Sequence, residues 1–175
     1  GAGGGCGGSA ARVLPGMSDH ALHLRRAANA PPHHSGVASQ LVAAVLFAGA
    51  TATAALVGGL VTASSMAWYD GLELPSYAPP DRVFGPVWSV LYSMVAVAGF
   101  LMWRSTTRPL ATVVWALSMA LNLTWTLVFF GLRAPEPAIV VIAVLLTSIV
   151  ALVAIAARHH RPVVAWLLVP YAMWV

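Results

Sequence analysis

Apolar residues along the chain fall into long unbroken runs and do not alternate. The runs cover residues 41–63, 84–103, 110–130, 138–157 and 163–175, with polar or proline-bearing breaks between them. A bilayer core about 30 Å thick is crossed by roughly 20 helical residues, and the first four runs meet that length. The pattern therefore predicts an all-α membrane protein, a bundle of five transmembrane helices in residues 37–175. The fifth run is short and ends with the sequence itself, which reads as a helix truncated there. Residues 1–36 are rich in Gly, Ala, Pro and His and read as a disordered tail. Met17 is a candidate natural start, which would make 1–16 an upstream extension.

Breaks at 104–109, 131–137 and 158–162 are short and each carries a proline, which stops or starts a helix. Short connections predict antiparallel neighbours in a compact bundle. The connection 64–83 is longer and holds Trp68, Tyr69, Tyr77 and the prolines Pro75, Pro79 and Pro80. It is expected to fold over one end of the bundle, with its aromatic residues either anchored at the membrane interface or closing a cavity.

Composition strengthens the membrane reading and narrows the chemistry. Of the chain, 59% is hydrophobic and only 8% charged, more apolar surface than one soluble core of this length would hide. The net charge of +4 comes from nine arginines with no lysine, all outside the apolar runs, which fits membrane surfaces and not nucleic acid. Arg12, Arg25, Arg26, Arg104, Arg108, Arg158 and Arg161 fall on one side of the alternating spans. Only Arg82 and Arg133 fall on the other. The positive-inside rule then puts the N-terminus in the cytoplasm.

No acid, arginine or histidine interrupts a run, which argues against an ion-coupled transporter. Cys6 has no second cysteine to pair with, and the sequence-adjacent histidines His33–His34 and His159–His160 do not converge on a metal. No metal site is expected. The stretch 74–82 with Tyr77 formally fits a pattern proposed for cholesterol contact, a weak signal.

The candidate site comes from helical spacing. In the third run Trp115, Ser118, Asn122, Trp125 and Phe129 share a face, with Thr126 at its edge, and that face is expected to point inward. Asn122 falls near mid-membrane, where its amide needs a partner on another helix or a ligand. In the second run Phe84, Trp88, Tyr92, Gly99 and Trp103 form a stripe. In the fifth, Trp166, Pro170 and Trp174 are spaced by four, with Tyr171 beside them. The fourth run looks like an undecorated lipid-facing helix. The first places small residues at every fourth position (Ala44, Ala48, Ala52, then Ala55, Gly59, Ala63), a spacing for close helix approach within the bundle or across a dimer.

Three segments, WYDGLELPSYAPPDRVFGPVWSVLY, ALNLTWTLVFFGLR and LLVPYAMW, occur in order and resemble the TspO/MBR family, over residues 37–175. The resemblance implies a five-helix bundle, commonly a homodimer, with a cavity beneath the first loop that takes porphyrins such as protoporphyrin IX, sterols or synthetic benzodiazepine-type ligands. By motif, Trp88, Asn122, Trp125 and Trp174 match cavity residues and Tyr69 the loop above them; Tyr92 and Ser118 join them from the spacing. The expectation is a receptor or carrier for a flat hydrophobic ligand in a bacterial cell membrane, with no cofactor beyond the porphyrin as ligand. In some bacterial relatives the tryptophans matching Trp88 and Trp174 are implicated in light- and oxygen-dependent porphyrin breakdown, so a degrading enzyme is the alternative, as is a sensory protein without transport. Tyr77, Leu74 and Val141 depart from the family pattern, where tryptophan, lysine and an acid are frequent. The chain stops before the C-terminal segment where sterol contact is proposed in animal members.

Overall fold

A computed structural model describes residues 1, 36–73, 76, 79–105, 109–159 and 161–175. The expectations for the tail, with Met17 and Cys6, and for Leu74, Tyr77, Arg108 and His160 lie outside the described residues. All described secondary structure is helical: α1 (Val37–Tyr69), α2 (Asp81–Ser105), α3 (Leu110–Thr126), α4 (Pro135–Arg158) and α5 (Pro162–Trp174). A π-helical turn, Leu127–Gly131, extends α3. Four helices, counting α3 with its π turn, are long and apolar enough to cross a membrane. Their outward faces carry leucine and valine (Leu41, Leu46, Leu56, Leu60 and Val150 among them), as lipid contact requires.

The first helix runs further than the apolar run. Ser64 to Tyr69 contains neither Gly nor Pro, so nothing stops α1 until Asp70–Gly71, where the Gly71 and Leu72 amides fold back to the Trp68 and Tyr69 carbonyls. Its 33 residues rise about 50 Å, well beyond a hydrocarbon core. Trp68 and Tyr69 are therefore helical and do not belong to an irregular loop. Prolines open α4 and α5 at the first helical position, where a missing N–H costs nothing. The 13 residues of α5 rise about 20 Å, part of the bilayer thickness.

Packing runs in a ring in which α1 lies on α2, α2 on α5, α5 on α4, α4 on α3, and α3 on α1. The short connection from α2 to α3 does not make them principal neighbours, contrary to the inference from loop length: α2 and α3 touch only lightly across the middle. Nor is α4 a lipid-facing helix throughout. Ala138, Leu145, Ser148, Ile149, Leu152 and Ala156 form a buried face at helical spacing, invisible to a search for aromatics because it is aliphatic.

The small-residue stripe of α1 is likewise not what packs it into the bundle. Ala43, Phe47, Thr51, Ala54, Gly58 and Ser65 are buried, whereas Ala48, Ala52, Gly59 and Ala63 are exposed. At the base of the bundle Trp115 seats against Phe47, edge to face at 4.6 Å, and its indole N–H donates to the Val95 carbonyl at 3.0 Å.

The π turn rearranges hydrogen bonding at the far end of α3. The Leu132 amide reaches the Leu127 carbonyl and the Ala134 amide the Val128 carbonyl, which takes Ala134 away from Phe130. Ser65 of α1 donates its hydroxyl to that Phe130 carbonyl at 2.8 Å. Ser65→Ala strips a buried acceptor of this partner and is expected to cost about 1–2 kcal/mol, read as a lowered melting temperature in detergent. An unchanged melting temperature would show that the Phe130 carbonyl finds another donor.

Candidate functional site

Five helices line a cavity of about 800 Å³ that extends to the end of the bundle where Tyr69, Pro79, Asp81 and Arg82 lie. Its size falls inside the ordinary range for small-molecule sites.

Tyr92 and Asn122 at its floor belong to a hydrogen-bonded chain that reaches a third helix behind them. Tyr92 of α2 donates its hydroxyl to the Asn122 side-chain oxygen at 2.5 Å, and the Asn122 amide nitrogen donates to the Tyr171 hydroxyl of α5 at 2.9 Å. Thr126, one turn along α3, donates to the Asn122 backbone carbonyl. Asn122 is 1% exposed, and the amide that an apolar helix cannot leave unpaired is met by two tyrosines.

Aromatic rings build the walls. Trp88 lies against Tyr92 at 5.3 Å between ring centres and edge-on to Tyr171 at 6.3 Å. Nearer the mouth, Phe84 meets Trp174 at 6.0 Å and Tyr69 at 6.2 Å, while Tyr69 also meets Phe130 at 5.7 Å. Trp125 stacks on Phe129. Geometries of this kind match the quadrupoles of the rings and leave faces available to a planar guest. Gly58, Gly59 and Ala63 of α1 keep the opposite wall low, and Asp81 with Arg82 stands at the rim.

Of the residues singled out by spacing and motif, Tyr69, Trp88, Tyr92, Asn122, Trp125 and Trp174 all line this one cavity. Ser118 does not: it is fully buried one turn before Asn122 and donates to the Trp115 carbonyl at 2.7 Å. The inward face of α3 is also rotated from the one expected, with Trp115, Ser118, Asn122, Thr126 and Phe130 deepest and Trp125 and Phe129 half-buried on its flank. At about 100° per residue, Thr126 lies about 40° from Asn122 and Trp125 about 60° the other way, so the four-residue step keeps closer to the axis of burial.

On α5 the buried face is Val164, Leu168 and Tyr171. Trp166 is 72% exposed and Pro170 also faces out, so these two do not join the convergence of aromatic faces. Tyr171 is the residue that spacing undervalued. Its signal was present as the third member of a three-and-four repeat with Val164 and Leu168, masked by the more conspicuous tryptophans. Among the described residues no group of three His, Cys, Asp or Glu side chains gathers to hold a metal ion.

Comparison with known proteins gives a consistent picture. The TspO/MBR family model matches residues 43–175. The chain is 32% identical over 141 residues to the tryptophan-rich protein TspO of Archaeoglobus fulgidus, covering 78% of this chain and 88% of that protein. It is 34% identical over 119 residues to the human translocator protein, covering 65% of this chain and 70% of the human one. Protein CrtK of Rhodobacter capsulatus is 32% identical over 117 residues, 62% of this chain and 70% of CrtK.

Proposed function

Because this chain belongs to the TspO/MBR family of integral membrane proteins, we propose that it is a receptor or carrier for a flat, hydrophobic tetrapyrrole of the protoporphyrin IX type, held in the aromatic cavity. One observation carries the reading: Trp88, Trp125 and Trp174, from three different helices, line a single cavity of about 800 Å³. Indoles supply large apolar faces for a planar guest, and the Tyr92–Asn122–Tyr171 chain keeps the floor polar but internally satisfied.

Quenching of tryptophan fluorescence by protoporphyrin IX in detergent is expected to saturate. The double variant Trp88→Phe, Trp174→Phe keeps ring burial but reduces stacking area, and is expected to weaken the dissociation constant roughly tenfold, about 1.4 kcal/mol. A dissociation constant unmoved by the double substitution would sink the proposal.

A second reading, photo-oxidative breakdown of the bound porphyrin, draws support from Trp88 and Trp174 lining the same cavity. It requires bleaching under light to run faster with the protein than without it. In either role we take the protein to be a homodimer with its N-terminus in the cytoplasm. The exposed Ala48 and Ala52 on α1 support the first point and the arginines Arg104, Arg158 and Arg161 at one end of the bundle the second. Crosslinking in membranes and side-specific labelling of an N-terminal cysteine check the two points.

A further inference from the structure

We infer that Arg82 selects ligands that carry a carboxylate, or another anionic group, at the edge of their apolar plane. The inference rests on the cavity being the ligand site and specifies the chemistry of its mouth. Among the described residues, Asp81 and Arg82 are the charged side chains that line the cavity, and they are not equivalent. Asp81 lies in the first turn of α2, where backbone N–H groups lack intrahelical acceptors and the positive end of the helix dipole compensates a carboxylate. Arg82 sits in the same turn, where that dipole opposes its charge. No carboxylate or carbonyl among the described residues forms an ion pair or hydrogen bond with it, and its exposed guanidinium presents five donors in a planar fork at the rim.

The interior offers an anion nothing comparable. The walls are largely apolar, and the hydroxyl and amide groups of the floor are engaged with one another. An anionic group pushed to the floor loses its hydration without gaining a free cation. At the mouth it stays partly hydrated and gains a charge-assisted, two-point contact, while the apolar plane reaches down between Trp88 and Trp174. Asp70, Glu73 and Glu136 leave this end of the bundle with more acids than arginines, and none of the three lines the cavity. At the rim itself Asp81 works against the anion and Arg82 for it.

The probe pair is protoporphyrin IX and its dimethyl ester, titrated by tryptophan quenching into the full chain in non-ionic detergent. The readout is the ratio of the acid's dissociation constant to the ester's, which cancels differences in how the two partition into micelles once variants are compared with wild type. Arg82→Gln is expected to shift that ratio against the acid by roughly three- to tenfold. Arg82→Lys should retain part of the preference, Asp81→Asn should increase it, and raising salt should erode it in wild type but not in Arg82→Gln. A ratio in Arg82→Gln within about twofold of wild type overturns the role of Arg82 while leaving the cavity reading intact. If neither probe saturates in any variant, the cavity reading itself falls, and this inference with it.

Discussion

Gly99→Ala is expected to destabilise the protein by roughly 1–3 kcal/mol, seen as a clear drop in melting temperature in detergent. A β-carbon at this position would lie 2.5 Å from the Trp115 indole nitrogen and 2.7 Å from the Phe47 ring. Neither neighbour can yield cheaply. The Trp115 ring is pinned by its hydrogen bond to the Val95 carbonyl and by edge-to-face contact with Phe47, so a shift of one disturbs α1, α2 and α3 together. Gly49→Ala is the control, because a β-carbon there meets nothing within 4 Å. Equal melting temperatures for the two alanine variants would show that the close approach of α2 to Trp115 is not as drawn.

The second large effect is at the cavity floor. Asn122→Leu nearly conserves volume but removes both the acceptor for Tyr92 and the donor to Tyr171. Two hydroxyls are then stranded between α2, α3 and α5. Each buried polar group left without its partner costs about 1–3 kcal/mol, although hydrogen bonds inside membranes have averaged nearer 0.6 kcal/mol, so a total of about 2–4 kcal/mol is expected. Thermal unfolding in detergent measures it. A triple variant that also carries Tyr92→Phe and Tyr171→Phe should recover much of the loss, since an apolar floor strands nothing. If the single variant is as stable as wild type, the three-helix chain does not hold the floor together.

The helices were legible because lipid as solvent demands long uninterrupted apolar runs, and a polar group in such a run is conspicuous. Asn122 stood out for that reason. Its partners did not: which tyrosines reach it depends on how α2 and α5 rotate against α3, and spacing within one helix carries no information about a neighbour's rotation. Trp166 shows the cost of ranking residues by type. It belongs to the most conspicuous aromatic repeat of α5 yet faces outward, while Tyr171 turns in. The aliphatic inner face of α4 is hidden in the sequence because, in a helix apolar all round, hydropathy does not separate the bundle side from the lipid side. Ser118 illustrates a third limit. A hydroxyl on an inward face satisfies itself on its own helix, here at the Trp115 carbonyl, and needs neither ligand nor neighbour. The π turn that carries Phe130 inward leaves no mark in the sequence pattern, whereas the reach of α1 up to Tyr69 is written in the absence of Gly and Pro from 64–69 and is hidden only from hydropathy.

Binding of a planar ligand in the one aromatic cavity lined by Trp88, Trp125 and Trp174 is tested most directly by an experimental structure of the full chain with protoporphyrin IX bound. The expected result is a macrocycle between Trp88, Trp125 and Trp174, above an intact Tyr92–Asn122–Tyr171 chain. A macrocycle on the outer, lipid-facing surface of the bundle, with the cavity occupied by side chains, would contradict it.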